Sequence, residues 1–182
     1  WPESPERQVA DALARHRLDS PEVLERATRM VDGFTSSTIG RSVREGDAAF
    51  EVPLLLNVEG ITIRGFVDVL LEGPEPTIID YKTNRLDGVE PAAKMDAYEV
   101  QRGLYALALA RARGISSVNT AFVFLERAED PVEDELNGED LDAAEHELRG
   151  YLRQIVEGNF FGGPSASHQP CDDCWAFRKL SA

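Results

Sequence analysis

One stretch limits what this chain can become: residues 61–83, ITIRGFVDVLLEGPEPTIIDYKT. Its first half alternates as a half-buried strand does, and a Gly/Pro turn from Gly73 to Pro76 returns the chain into a second apolar run that ends in Asp80-Tyr81-Lys82. Successive strand side chains point to opposite faces, so Asp80 and Lys82 face one way while Ile79 and Tyr81 face the other. An acid and a base therefore stand side by side at the end of an apolar strand. Asp68 lies inside the preceding run, and if the two runs pair as a hairpin it approaches Asp80 across the ladder. Val67, Val69 and Leu71 alternate with Asp68 and offer the opposite face to the core, whereas Leu70 shares the acid's face.

A strand running out into solvent accounts for many Asp-x-Lys sequences. Three features set this one apart: the acid follows Thr77-Ile78-Ile79, a second acid sits within an apolar strand, and Glu51 opens a third strand just upstream. Carboxylates that converge on one spot repel each other and are costly without a cation between them. Hard divalent ions such as Mg²⁺ or Mn²⁺ use such oxygen sites, completed by water or substrate phosphate. Lys82 then has a place in the chemistry, orienting or helping to deprotonate the attacking water, or neutralising charge on a phosphoryl oxygen.

The order Glu51, GFVD with Asp68, IIDYKT with Asp80 and Lys82, and QRGLY with Gln101 and Tyr105 resembles the PD-(D/E)XK nuclease superfamily. Within it the pattern is similar to the RecB-type nuclease domain at the C-terminus of AddA, AddB, RecB and UvrD-like helicase-nucleases, over roughly residues 28–180. The resemblance implies a restriction-endonuclease-like α/β core, a central mixed sheet flanked by helices. It also implies that Asp68 and Asp80 hold Mg²⁺ or Mn²⁺, that Lys82 is catalytic, that Glu51 is an acid near the metal, and that Gln101 and Tyr105 mark the helix beside the site. Positions four apart on a helix share a face, which suits that last pair independently. The implied function is an exonuclease acting on DNA in repair or recombination, fed by a helicase or ATPase domain in the same polypeptide or a partner subunit. An inactive nuclease-like module that guides DNA or binds a partner is the alternative. The RecB-type family also carries a histidine in a Gly-x-x-x-His setting on an early helix; here Gly33 is followed by Ser37 and Gly40 by Arg44 at that spacing.

Charge bears on the same question. With 33 acids against 19 bases the net charge is −14, which opposes autonomous capture of a polyanion and suits a catalytic module whose strand is delivered by a neighbour. Apolar content of 42% and charged content of 29% describe a globular protein, and 182 residues suffice for one domain with a substantial core. No run approaches a membrane span, and the N-terminus is neither basic nor followed by an apolar signal segment. The expected location is therefore cytoplasmic. The absence of an initiator Met reads as a piece of a larger polypeptide.

Three parts are expected: an N-terminal helical segment over 1–48, the nuclease core over 49–160, and a C-terminal tail over 161–182. In the first, Pro5 to His16 has weak helical spacing, while Ser20-Pro21 starts a clearer helix that stops or kinks at Gly33. His16, between two arginines, reads as a solvated histidine. Residues 49–58 form a strand, and Pro53 marks it as an edge or a bulge. Gly65 suits a bulge or a close backbone approach that helps to aim Asp68.

After Lys82 a polar loop turns at Asp87-Gly88, and its Thr83 and Arg85 are candidate DNA contacts, together with Gln101. A long amphipathic helix is expected from about Ala92 to Arg113, ended by Gly114. Residues 119–125 read as a central strand covered on both faces, EDPVEDELNGED as an acidic surface loop or hairpin, and Asp140 as the cap of a last helix. The tail holds Cys171 and Cys174 in C-x-x-C spacing. Two thiolates do not close a tetrahedral zinc site, even with His168 as a third ligand. Some relatives bind an iron–sulfur cluster through one upstream cysteine and three near the end. Beside that pattern the pair resembles a remnant, and no cluster is expected.

Overall fold

The computed structural model of the chain describes residues 5–18 and 20–158. A five-stranded mixed sheet runs in the order β1-β2-β3-β4-β5, with helices on both faces, an α/β architecture of the restriction-endonuclease-like kind. The strands are β1 (Ala48–Val58), β2 (Ile61–Leu71), β3 (Thr77–Lys82), β4 (Val118–Phe124) and β5 (Val132–Leu136). Antiparallel pairing joins β1 to β2, β2 to β3 and β4 to β5, while β3 and β4 are parallel. The β1–β2 hairpin closes at Glu59 and Gly60, both at positive φ (51° and 83°), the backbone a two-residue hairpin turn requires.

Five α-helices complete the order: α1 (Pro5–Arg15), α2 (Pro21–Ser36), α3 (Thr38–Glu45), α4 (Glu99–Arg113) and α5 (Gly138–Val156). The expected stop at Gly33 is not taken, and α2 continues to Ser36. The turn instead falls at Ser37, whose hydroxyl donates to Phe34 O (2.7 Å) and accepts from Gly40 N (3.0 Å), so one side chain ends α2 and caps α3. A Cβ on Gly40 would lie 1.9 Å from Phe34 O, so the tight corner admits only glycine. The long helix expected from Ala92 is broken: residues Pro91–Ala97 are a 3-10 helix, and α4 begins after Tyr98. The last helix is capped by Asn137 rather than Asp140; Asp140 sits three residues on and completes the reciprocal capping box.

Both sheet faces carry a packed apolar cluster, while Phe50, Leu55 and Phe66 of the β1–β2 hairpin stay exposed. On one, Leu54, Leu56, Val67, Leu70 and Ile78 pack with α4 and α5 residues such as Leu107, Leu148 and Leu152. On the other, Val69, Ile79, Ala121 and Val123 meet Phe34, Ile39 and Val43, so α2 and α3 form one wall of the core. Ile78 and Ile79 are 1% and 0% exposed, each worth about 2 kcal/mol of transfer free energy. Two-sided burial explains the near-continuous apolar run of β4.

The alternation breaks at one level of the hairpin. Val67 belongs to the α4 side and Val69 to the α2 side, although strict period-two spacing places them together. The same reversal occurs in β1, where Val52 packs on the α4 side and Ala48 on the other. Between these positions Glu51 stands across from Asp68, flanked by the pairs Phe50–Val69 and Val52–Val67, with φ of 51°. A left-handed residue in a strand is strained by about 1–3 kcal/mol and turns the strand locally, and here it turns the strand pair where Asp68 is presented. Of the two readings of Pro53 the edge is the one met: β1 is the sheet edge, and its one-to-one register with β2 holds no bulge.

Candidate active site

The central strand β3 delivers Asp80 and Lys82 to the side of the sheet covered by α4. Both are buried, at 3% and 9% exposure. Gln101, in the first turn of α4, joins them into a closed triangle. Its amide Nε2 donates to Asp80 Oδ1 (2.8 Å), and Lys82 Nζ donates to its Oε1 (2.8 Å). Lys82 Nζ lies 2.5 Å from Asp80 Oδ2. Tyr98 closes the lid over the ammonium, its ring centroid 4.2 Å from Nζ, with the Phe122 ring at 5.2 Å. A buried cation over an aromatic face gains about 2 kcal/mol when desolvated. The break between the 3-10 helix and α4 is what places Tyr98 there.

Asp68 reaches the site by a different route. The β2–β3 ladder ends after Val69 opposite Ile79, which leaves the Tyr81 N–H without a strand partner. Asp68 Oδ2 takes that hydrogen bond at 2.7 Å. The carboxylate thus replaces a backbone carbonyl and ties the second acid to the strand that carries the first. Gly65 serves the same end of the hairpin, because a Cβ there would come within 3.1 Å of Tyr105 Cε1. Its close approach, expected to aim Asp68, makes room for the Tyr105 ring one helical turn beyond Gln101.

The electrostatics follow from burial. Desolvation pushes the Asp80 carboxyl above its usual range, the Lys82 ammonium beside it works the other way, and the Asp68 charge adds to the rise. Burial likewise raises the Tyr105 phenol; Gln101 opposes this, and Asp80 and Asp68 reinforce it. Asp80 Oδ2 is fully buried, and the Lys82 ammonium is its partner. A buried carboxylate with the charge of a second one, Asp68, acting on it suits a hard divalent cation bound by one or two carboxylates plus water and phosphate. The residues present would suit such an ion, and Asp68 and Asp80 are the carboxylates that could hold it.

Other sequence candidates fall elsewhere. Glu51 is exposed and, among the described residues, joins no cluster of three or more potential metal-ligating side chains. Thr83 and Arg85 are exposed beyond β3, and Thr83 O accepts from Arg26 Nη2 at 2.8 Å. His16 is exposed. At the two positions where the histidine spacing falls, Ser37 is buried as a cap and Arg44 pairs with Glu45. Cys171, Cys174 and His168 lie outside the described residues. Tyr98 and the pair Arg26–Glu126 were not legible as site neighbours; Arg26 and Glu126 are 100 residues apart and no local pattern links them.

A model of the PD-(D/E)XK nuclease superfamily matches residues 1–178, and the chain belongs to that superfamily. Among solved structures, a protein from Eubacterium rectale provisionally assigned as an exonuclease is similar in fold. The two share 13% identity over 93% of this chain and 70% of that one, with a TM-score of 0.55. The crystal structure of SSO0001 matches at 18% identity over 86% of this chain and 72% of that one, with a TM-score of 0.47. No curated protein sequence matches the chain. Among the described residues no helix is long and apolar enough to cross a membrane.

Proposed function

We propose that the chain is a divalent-metal-dependent deoxyribonuclease, the RecB-type nuclease module of a helicase-nuclease that digests DNA in repair or recombination. The observation that carries this reading is the buried Asp80–Lys82–Gln101 triangle with Asp68 tied to the same strand. In a hydrolytic step water oxygen bonds to phosphorus, the bond to the 3′ oxygen breaks, and the leaving oxygen takes a proton. Bound Mg²⁺ or Mn²⁺ supplies Lewis-acid polarisation of the phosphoryl group and a more acidic water. The chain's own residues do the positioning. Asp68 and Asp80 present oxygens, Gln101 fixes the plane of the Asp80 carboxylate, and Lys82 brings a positive charge to the phosphoryl oxygens. Releasing Asp80 Oδ2 for a ligand frees Lys82 for that role, and Tyr98 is placed to keep its ammonium oriented.

The nuclease core is assigned to residues 49–160, with α2 and α3 packed on its sheet and α1 against α2, and the location to the cytoplasm. A chain of net charge −14 is a poor trap for DNA, so the strand is delivered by a helicase domain or partner. The test is digestion of labelled single- and double-stranded DNA by the chain and by its full-length parent, with Mg²⁺, Mn²⁺ or EDTA. Cleavage should require the metal, be faster in the parent and disappear in D80A. A parent that never cleaves, or cleavage unchanged by D80A, would make an inactive DNA-guiding or partner-binding module the better account.

A further inference from the structure

Just past the C-terminal ends of β3 and β4 lies a cavity of about 370 Å³ lined by Arg26, Arg29, Met30, Arg85, Leu125 and Glu126. Arg26 is part of the framework: its Nη2 donates to Thr83 O (2.8 Å) and to Glu126 Oε1 (3.0 Å), while its Nε has no acceptor. Glu126 Oε2 accepts from Leu86 N at 3.0 Å, so the same carboxylate pins the loop that follows Lys82. Arg85 is exposed and, among the described residues, makes no hydrogen bond or ion pair. Arg29 is held from the rim by Glu25 at 2.6 Å. Three guanidinium groups thus converge against Glu126 and the rim carboxylate of Glu25, on a chain whose net charge is −14.

We propose that this cavity is a phosphate-binding subsite for the nucleic-acid strand, with Arg85 as its free arm, Arg29 as a second arm that exchanges its exposed pair with Glu25 for the ligand, and Arg26 as its fixed base. The proposal rests on the nuclease reading and adds where the strand is held. Guanidinium groups present donors in a fork that matches phosphate oxygens, and Arg26 and Arg85 have donors to spare. Arg85 lies three positions after Lys82, a backbone span of at most about 11 Å. Three nucleotides of a B-form strand rise about 10 Å, so a phosphate held here lies within a few nucleotides of the one at Lys82. The bound phosphate is either an internal phosphodiester or the terminal monophosphate of a strand end.

The experiment measures binding in EDTA, where cleavage plays no part. Wild-type chain and the R29Q/R85Q double variant are titrated against labelled oligothymidylate carrying a 5′ phosphate, the same strand with a 5′ hydroxyl, and a circular single strand. Both substituted side chains are exposed, and circular dichroism verifies the fold. Expected is a loss of about tenfold in affinity at low salt, with the slope of log affinity against log salt reduced by about 0.7 for each phosphate that is no longer neutralised. Equal loss on all three strands assigns an internal phosphodiester, and loss confined to the 5′-phosphorylated strand assigns a terminal one. Wild-type affinity and slope in the double variant, or no measurable binding by wild type at low salt, would overturn the subsite. A chain that binds through these arginines yet never cleaves would sink the nuclease reading and leave the subsite standing. The converse result would do the opposite.

Discussion

Two charged clusters flank the end of β3, and they use charge in opposite ways. In the Asp80–Lys82–Gln101 triangle the groups are buried and committed to one another. In the Arg26–Arg29–Arg85 cavity Arg26 is anchored to Thr83 O and Glu126, whereas Arg29 and Arg85 are exposed, and Arg85 has no hydrogen-bond or ion-pair partner among the described residues. Burial makes the first cluster expensive to disturb, because an isolated charge in a low-dielectric interior has no substitute for its partner. Solvent and salt screen Arg29 and Arg85, so these two matter little to the fold and are available to a ligand. The contrast teaches which cluster can be mutated to test binding and which can only be mutated with a stability control.

The largest effect is expected from K82A. Removing one partner of a buried pair costs about 3–5 kcal/mol. Lys82 holds the Asp80 carboxyl down against desolvation, so its loss raises that carboxyl further. A group with a raised folded-state pKa stabilises fully below its unfolded value, and that contribution fades as pH rises through the folded one. Denaturant unfolding of K82A should therefore show a deficit that shrinks as pH falls toward the ordinary Asp range. A deficit independent of pH would mean that the pair is not coupled as the geometry indicates.

Next is Y98L, which removes the ring over Lys82 and its packing against Phe122 and Phe124, at 6.1 Å and 6.0 Å. The expected cost is about 2 kcal/mol, with kcat falling more than KM rises, since orientation of Lys82 is what is lost. Y98F keeps the ring but loses the hydroxyl that donates to Asn84 Oδ1 (3.0 Å), and should retain most of both. Equal kinetic loss in the two variants would move the role from the ring to the hydroxyl.

Smaller again is E126Q. The Leu86 N–H, then Arg26, hold the Glu126 carboxyl below its usual range, so its contribution is present above the unfolded value and is lost as pH falls through the folded one. The variant should be less stable by about 1–2 kcal/mol at neutral pH and approach wild type as pH falls below the ordinary Glu range. Thermal unfolding across that range checks the sign. R85Q should change stability by less than about 0.5 kcal/mol, because its side chain is exposed and makes no ion pair among the described residues. A larger loss would show that the cavity's free arm belongs to the fold after all.

Much of the site was readable because its physics is local. Strand parity puts Asp80 and Lys82 on one face, and helical spacing puts Gln101 and Tyr105 on one face; neither needs knowledge of the rest of the chain. The helix break at Tyr98 was not readable, since the apolar spacing from Met95 to Leu104 suits a continuous helix. The left-handed backbone at Glu51 was hidden too, because nothing in its flanking sequence demands positive φ. Only pairing with β2 creates it.

What the sequence by itself determined is the central strands, the approximate place of most helices and the facing of the reactive groups, including the β1–β2 turn and the acid–base pair ending β3. Periodicity, Gly and Pro carry that information within a few residues. The tertiary structure alone decided that Asp68 completes a truncated ladder through Tyr81 N, that Tyr98 covers Lys82, and that Arg26 meets Glu126 beneath Arg85. These pairings join residues 13 to 100 positions apart, and their partners are chosen by how the layers pack. No local pattern encodes that choice.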